Sequence, residues 1–212
     1  MFNISPKYFP NRGWLETKLS TDILKFLNEC IKNKTKKVNY ELAGNISKSY
    51  PLEDKDNWFF KNILVLCIEK YIEEFTAASI PNLLTKNCGY TLNRFWVNFQ
   101  KKYEFNPVHN HSGIFSFVIW MKIPSSFKKE RNLPFVKDSN CKSPNTFQFS
   151  YLNSLGEIGT LEYHLEPSNE GTMLFFPAQL NHQVYPFYSS NKNRISISGN
   201  ICFDPEKVTQ DV

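Results

Sequence analysis

Residues 172–203, with the sequence TMLFFPAQLNHQVYPFYSSNKNRISISGNICF, carry three of the segments that decide the fold. Thr172–Phe176, Gln183–Phe187 and Arg194–Phe203 are short and rich in β-branched and aromatic residues. Pro, Asn and Gly separate them, as is typical of strands that are joined by turns. This stretch therefore predicts three successive β-strands.

The same pattern, short β-branched and aromatic segments separated by turn residues, extends toward the N-terminus as far as about residue 90. Seven or eight short strands at this spacing predict a sandwich or jelly roll, with helices packed against one sheet. Four further segments have the composition of strands: Leu92–Phe99, Gly113–Ile123, Thr146–Tyr151 and Gly159–Leu165.

The front of the chain has a helical pattern instead. Residues 20–22 (Ser-Thr-Asp) offer an N-cap to a segment that has helical apolar spacing as far as Ile31. A second and wider apolar stripe runs from about Asp56 to Ala78, and Pro81 marks a natural end just beyond it. The fold class is therefore predicted to be mainly β with supporting helices.

The length of the chain favours one domain over two. We expect a single domain over residues 1–212, in which 1–89 give helical support and 90–205 form a jelly-roll core. A long polar and basic segment, Ser125–Asn145, interrupts the predicted strands. A loop of that length inside a compact domain is typically a lid or disordered, so we expect it to close over the site that the core carries.

Composition excludes several classes of protein. The 212 residues are 41% hydrophobic and 16% aromatic, which is too apolar for a disordered chain. The five cysteines are scattered without CxxC spacing, which argues against a disulfide scaffold or a zinc ribbon and fits a reducing compartment. No segment has the pattern of a signal peptide or of a membrane span, so we expect a cytoplasmic protein with no membrane partner.

The net charge of +5 is modest. The lysine clusters at residues 32–37 and 128–131 are short and have no interleaved aromatic residues. We therefore interpret them as solvated surface and expect no nucleic-acid partner.

Three of the four histidines fall in two motifs, at His109, His111 and His182. Residues two apart in an extended strand point to the same face, so His109 and His111 could hold one metal ion together. A third imidazole from a distant strand would close a facial triad that suits redox iron. The alternative is a chance pair of histidines whose hydrogen bonds are satisfied within the protein. His164, in a separate predicted strand, is expected at the surface or rim.

Arg194 opens the motif Arg-Ile-Ser-Ile-Ser-Gly-Asn, twelve residues after His182. Strand alternation puts Arg194, Ser196 and Ser198 on one face, so the guanidinium would point into a barrel beside a hydroxyl. An inward-facing guanidinium needs a partner, and a carboxylate held by two hydrogen bonds is the natural one. That carboxylate would come either from a ligand or from an acidic residue of the chain.

These motifs together resemble those of the 2-oxoglutarate and Fe(II)-dependent oxygenases, and in particular the prolyl-hydroxylase-like branch found among bacterial and phage proteins. The resemblance covers about residues 92–203. It rests on Asn-Pro-Val-His109-Asn-His111-Ser-Gly, on Gly171-Thr-Met-Leu-Phe-Phe-Pro177 leading to His182, and on the Arg194 motif. The family fold is a double-stranded β-helix, or jelly roll, supported by N-terminal helices, in agreement with the pattern above.

The resemblance implies Fe(II) as cofactor, 2-oxoglutarate as cosubstrate, and O2 with a protein side chain or small molecule as the other reactants. A C–H bond would be hydroxylated while succinate and CO2 are released. His109 and His182 would be iron ligands, and Arg194, helped by Ser196, would bind the far carboxylate of 2-oxoglutarate. The resemblance leaves both the substrate and the oligomeric state open.

The sequence departs from the family at one position, because His111 stands where Asp or Glu is usual. We prefer His111 as the third ligand. Alternatively His111 is the first ligand and Gly113 falls at the carboxylate position, as in a halogenase-type site. Two other functions stay open: a cupin-like three-His dioxygenase without cosubstrate, and a jelly-roll protein with a binding or structural role.

Overall fold

The computed structural model describes residues 13–34, 43–75 and 87–209. None of the helices within these ranges is both long and apolar enough to cross a bilayer. The helices are α1 (Thr21–Lys32), α2 (Val65–Phe75), α3 (Phe127–Glu130) and α4 (Pro134–Lys137), with a π-helical turn at Phe60–Leu64 and 3-10 turns at Lys55–Asn57 and Pro167–Asn169. The strands are β1 (Leu15–Lys18), β2 (Ser49–Pro51), β3 (Asn87–Gln100), β4 (Asn106–His109), β5 (Phe115–Lys122), β6 (Thr146–Leu152), β7 (Ile158–His164), β8 (Thr172–Pro177), β9 (Asn181–Val184) and β10 (Arg194–Thr209).

The strands form two antiparallel sheets. The larger sheet has the order β1-β8-β5-β10-β3-β2, and the smaller has the order β4-β9-β6-β7. The four central strands of the larger sheet and the four strands of the smaller one make up the eight strands of a jelly roll. The predicted fold class, mainly β with supporting helices, is therefore confirmed.

Strand β5 explains how the layers are held together, because both of its faces are buried. Phe115, Phe117 and Ile119 pack in a core with the apolar faces of α1 and α2. Val118 and Trp120 point the other way and pack against β6 and β8 residues between the two sheets. The alternation of side chains along one strand thus separates a helix-side core from a barrel-side core.

The two predicted N-terminal helices are present. Ser20 accepts a hydrogen bond from the backbone N–H of Ile23, so the predicted N-cap of α1 is confirmed. The helical segment that leads into α2 begins where the Asp54 carboxylate accepts hydrogen bonds from the backbone N–H groups of Phe59 and Phe60, both at 2.8 Å. The end predicted near Ala78, before Pro81, lies outside the described residues.

Three short strands were not predicted, namely β1, β2 and β4. Each has only three or four residues, and β1 and β2 lie at the edges of the larger sheet. The prediction of a strand over Gln183–Phe187 was also displaced, because β9 begins at Asn181 and ends at Val184. Strands this short are defined by the partner with which they pair more than by their own composition.

The segment Ser125–Asn145 is not the disordered loop that its composition allowed. It forms α3 and α4 and buries Phe127, Glu130 and Val136. Glu130 holds it to the following part of the chain, because its carboxylate accepts hydrogen bonds from the backbone N–H groups of Tyr188 and Ser189. The segment is therefore packed on the barrel, and its predicted action as a lid stays a prediction.

Candidate active site

The pairing of β4 with β9 brings two of the predicted histidines together. His109 and His182 are direct cross-strand partners in the small sheet, and their ring centroids are 4.3 Å apart. Directly opposed residues of an antiparallel pair project their side chains to the same face. The register of one short pair of strands therefore joins motifs that lie more than seventy residues apart in the sequence.

His111 completes the cluster from just beyond the end of β4. Its backbone N–H donates to the carbonyl of Ala178 at 2.8 Å, which fixes the turn. Its ring centroid lies 5.0 Å from that of His109 and 4.9 Å from that of His182. One nitrogen from each of the three rings lies within 4.8 Å of the others, a spacing at which a single metal ion could be held.

The hydrogen bonds of two rings indicate which nitrogen faces the centre. Nδ1 of His109 lies 2.7 Å from the carbonyl oxygen of Pro107, and Nδ1 of His182 lies 2.9 Å from that of Leu180. Since a carbonyl only accepts, each Nδ1 carries the proton, and Nε2 keeps the lone pair that a metal needs.

The three imidazoles are held in their neutral form. Burial, together with the smaller effect of the neighbouring His109, lowers the pKa of His182 to about 3 and that of His111 to about 4. Burial also lowers the pKa of His109 from its ordinary value. Neutral imidazole is the form that ligates metals, so the cluster is prepared for one at neutral pH.

The three histidines and Arg194 line one cavity between the sheets. Along β10, Arg194, Ser196 and Ser198 all face this cavity, while Ile197 is buried in the helix-side core, as strand alternation predicted. Aromatic side chains form part of the cavity wall beside these polar groups. Also lining it are Ala43, Gly44, Ile46, Ser49, Trp96, Asn98, Gln100, Asn106, Phe117, Val118, Trp120, Phe147, Phe176 and Val184.

Arg194 is 2% exposed, and neutral groups hold its guanidinium. Nε donates to Gln100 Oε1 at 3.1 Å, Nη1 to Asn145 Oδ1 at 3.1 Å, and Nη2 to the carbonyl oxygen of Tyr185 at 2.8 Å. Among the described residues it forms no salt bridge, so the alternative of an internal ion pair is not realised there. Burial lowers the pKa of Arg194 to about 9, against the opposing effect of the Glu130 carboxylate.

Two residues that support Arg194 were not among the predicted ones. Gln100 is its direct partner across β3 and β10, and alternation from Trp96 and Asn98 along β3 could have indicated it. Asn145 is the last residue of the Ser125–Asn145 segment, and no local sequence pattern predicted its contact with Arg194. Asn145 also accepts from Ser125 Oγ and donates to the carbonyl of Leu165, so it ties that segment to the barrel.

The other residues considered in the sequence have different positions. His164 lies on β7, its side chain is 52% exposed, and its ring stacks on Phe127 at 3.7 Å. It is not among the residues that line the cavity. Trp96 and Trp120 do line it, although Trp120 is also part of the barrel-side core.

Gly113, which the shifted motif would place at a carboxylate position, does not line the cavity either. Its φ of +109° suits glycine, and a Cβ there would lie 2.7 Å from the carbonyl oxygen of Ile201. The backbone therefore packs too closely at Gly113 for a side chain at that position.

Residues 94–200 match the sequence family described as "Putative 2OG-Fe(II) oxygenase". This range contains His109, His111, His182 and Arg194. No curated protein is similar enough to the chain to count as a match.

Two solved structures are similar in outline. A prolyl-4-hydroxylase from Pseudomonas putida is 13% identical, with a TM-score of 0.49 over 89% of this chain and 91% of that one. An oxidoreductase of the 2OG-Fe(II) oxygenase family from Burkholderia pseudomallei is 11% identical, with a TM-score of 0.49 over 86% of this chain and 78% of that one. At these values neither comparison bears on the activity of this chain.

Proposed function

The chain belongs to the 2OG-Fe(II) oxygenase family, and from that premise we propose that it is an Fe(II)- and 2-oxoglutarate-dependent dioxygenase. The observation that supports this most directly is that the imidazoles of His109, His111 and His182 line the same cavity as the buried guanidinium of Arg194. When bound, Fe(II), 2-oxoglutarate and O2 supply the chemistry in which a substrate C–H bond is hydroxylated while succinate and CO2 are released.

The donor set fits iron. Imidazole nitrogens suit Fe(II), and three of them on one side of the ion leave positions open for small ligands. His109, His182 and His111 would hold the metal, the first two with orientations fixed by the carbonyls of Pro107 and Leu180. Such supporting hydrogen bonds are a regular feature of metal-binding histidines.

Arg194 would bind the far carboxylate of 2-oxoglutarate. Three of its five N–H groups are held by Gln100, Asn145 and Tyr185, so the plane of the guanidinium is fixed. Each terminal nitrogen keeps one further N–H group, and a carboxylate can accept both at once. Ser196 lines the same cavity and would add a hydroxyl donor.

A bound carboxylate would also compensate for the burial of the Arg194 charge. Removing a guanidinium from water is costly unless an anion accompanies it, and among the described residues Arg194 has only neutral hydrogen-bond partners. A bound carboxylate would supply the missing negative charge in surroundings where screening by water is weak.

Succinate formation tests the proposal. The full chain is incubated with Fe(II), 2-oxoglutarate and O2, and succinate is measured by mass spectrometry, in parallel with an anaerobic Fe(II) titration. We expect succinate release and Fe(II) binding, and we expect His109→Ala to abolish both. His164→Ala, at an exposed histidine outside the cavity, is the matched control. Absence of Fe(II) binding, or full activity in His109→Ala, would refute the proposal.

The third imidazole favours one other function, that of a three-His metal dioxygenase that needs no cosubstrate. Arg194 would then bind a carboxylate of the substrate directly. O2 consumption that depends on Fe(II) but is indifferent to 2-oxoglutarate would identify this case, whereas stoichiometric succinate would exclude it.

A further inference from the structure

Three aromatic side chains from separate parts of the chain form an exposed cluster. Tyr103 follows β3, Phe135 belongs to α4, and Tyr188 lies between β9 and β10. The Tyr188 ring is in edge contact with the other two, with its centroid 5.5 Å from that of Tyr103 and 5.1 Å from that of Phe135. Tyr103 is 61% exposed and Phe135 is 64% exposed. This aromatic cluster therefore presents two rings to solvent.

Hydrogen bonds join the segments that carry the aromatic cluster. The backbone N–H of Tyr103 donates to the carbonyl oxygen of Phe187 at 3.0 Å, which joins the turn after β3 to the connection between β9 and β10. The buried Glu130 carboxylate accepts from the backbone N–H of Tyr188 at 3.0 Å, which joins the same connection to α3. Because α3 leads directly into α4, the three rings lie on one preformed surface.

The backbone of Tyr103 is in an unusual conformation. Its φ is +71°, in the left-handed region that glycine and asparagine adopt more easily than a bulky residue does. The side chain gains little from packing in return, since most of it is exposed. Residues held in such conformations are concentrated at functional sites. The position of Tyr103 therefore suits binding better than it suits stability.

Basic side chains lie along the same three segments, which are residues 101–104, 127–138 and 187–192. The Lys102 ammonium nitrogen lies 5.3 Å from the centre of the Tyr103 ring. Lys137 is the last residue of α4, which carries Phe135. Within the described part of the chain, none of these basic residues forms a salt bridge, although lysines of α1 and α2 do. The basic residues are Lys101, Lys102, Lys128, Lys129, Arg131, Lys137 and Lys192.

Acidic residues compensate only part of this charge. The same segments contain Glu104, Glu130 and Asp138 against the seven basic residues. Glu130 is fully buried, and its charge also acts on the Arg194 cation. Glu104 accepts hydrogen bonds from the backbone N–H groups of Ser47 and Lys101. The surface therefore has an excess of positive charge, which attracts an anionic partner.

Exposed rings beside unpaired cations are the features with which proteins bind single-stranded nucleic acid, because bases stack on the rings and phosphates pair with the cations. The expectation of no nucleic-acid partner rested on lysine clusters without interleaved aromatic residues. The fold supplies those aromatic residues from other segments of the chain. An acidic peptide would match the charge but would leave the ring faces of Tyr103 and Phe135 without a stacking partner.

We infer that this surface binds a single-stranded nucleic acid, with bases stacked on Tyr103 and Phe135 and phosphates beside Lys102 and Lys137. The inference goes beyond the proposed function, because none of these residues lines the cavity that holds the three histidines and Arg194. A nucleic acid bound here would contact the protein outside that cavity.

Fluorescence anisotropy of a labelled oligothymidylate of about 12 nucleotides tests the inference. The full chain is titrated in a chelator at several salt concentrations. We expect binding that weakens with salt, with a logarithmic slope of about −0.7 for each phosphate contacted. Phe135→Leu should weaken binding about tenfold and Phe135→Trp should retain it, because only an aromatic ring stacks on a base. Lys102→Gln combined with Lys137→Gln should flatten the salt dependence.

Two control variants change exposed residues elsewhere. Leu155→Ala, in the turn between β6 and β7, and Lys25→Gln, on α1, should bind the oligonucleotide as the native chain does. Absence of binding at low salt, or native affinity in Phe135→Leu, would overturn the inference. Equally tight binding of a polyglutamate of the same length would also overturn it and would identify a surface for acidic peptides. Since the assay contains neither Fe(II) nor 2-oxoglutarate, its result is independent of the proposed function.

Discussion

Arg194 is the residue whose environment most constrains the function, because it is a cation buried among neutral acceptors. We expect Arg194→Lys to weaken 2-oxoglutarate binding by roughly 100-fold, since an ammonium group cannot reproduce two parallel hydrogen bonds to a carboxylate. Calorimetric titration of the Mn(II)-loaded chain measures this, with Arg131→Lys as the control. An unchanged affinity would show that the cosubstrate lies elsewhere.

His182 makes the stability of the metal-free protein depend on pH. Its pKa is about 3 in the folded chain and near 6.5 when unfolded, so below pH 6.5 the unfolded chain binds more protons. The free energy of unfolding should therefore fall as the pH falls from 6.5, by up to about 1.4 kcal/mol per pH unit from this group.

Urea unfolding in the presence of a chelator, at pH 7 and pH 5, measures this loss. His182→Gln should give a shallower dependence on pH, whereas His164→Gln, at an exposed position, should keep the native slope. Equal slopes in the native chain and His182→Gln would count against a buried neutral His182.

Two rules were enough to predict, from the sequence, side chains that the structure brings together in one cavity. Alternation along a strand predicted Arg194 beside Ser196 and His109 beside His111, although β4 ends at His109 and His111 reaches the cluster from the following turn. The resemblance to a family joined the two motifs. Those rules could not predict the residues of other elements that accept hydrogen bonds from the Arg194 guanidinium. Asn145, for example, meets Arg194 across 49 positions of the chain, and no local pattern encodes such a contact.

At the scale of elements, the Ser125–Asn145 segment is the part that could respond to the cosubstrate. Its last residue donates to Leu165 and accepts from Arg194, so binding at Arg194 and the position of the segment are physically linked. We expect 2-oxoglutarate to slow tryptic cleavage after Lys128, Lys129 or Arg131. Mass spectrometry of the fragments measures the rate, and identical cleavage with and without 2-oxoglutarate would contradict a lid.

The elements that sequence patterns predicted well are those with strong internal periodicity. Strand β5, with both faces buried, and α1, with an N-cap and an apolar stripe, were found close to their observed bounds. The shortest strands were missed because their neighbours define them. In β1, three of four residues are exposed, and its position depends on pairing with β8.

At the scale of the whole molecule, we propose that residues 13–209 unfold as one unit. The helix-side core contains residues of α1 and α2 together with residues of β5, β8 and β10, so neither part has a complete core alone. Far-UV circular dichroism and tryptophan fluorescence should give coincident urea transitions. A fragment that begins at residue 87 should fail to fold, and a cooperative transition in that fragment would show two independent units.

The central claim is that the three imidazoles hold one iron ion within reach of Arg194. A crystal structure of the full chain, grown anaerobically with Fe(II) and 2-oxoglutarate, tests it most directly through anomalous scattering at the iron edge. The account predicts one peak bonded to His109, His111 and His182, with the cosubstrate extending from it to the Arg194 guanidinium. A peak elsewhere, no peak, or a guanidinium turned away toward an acidic residue of the chain would contradict it.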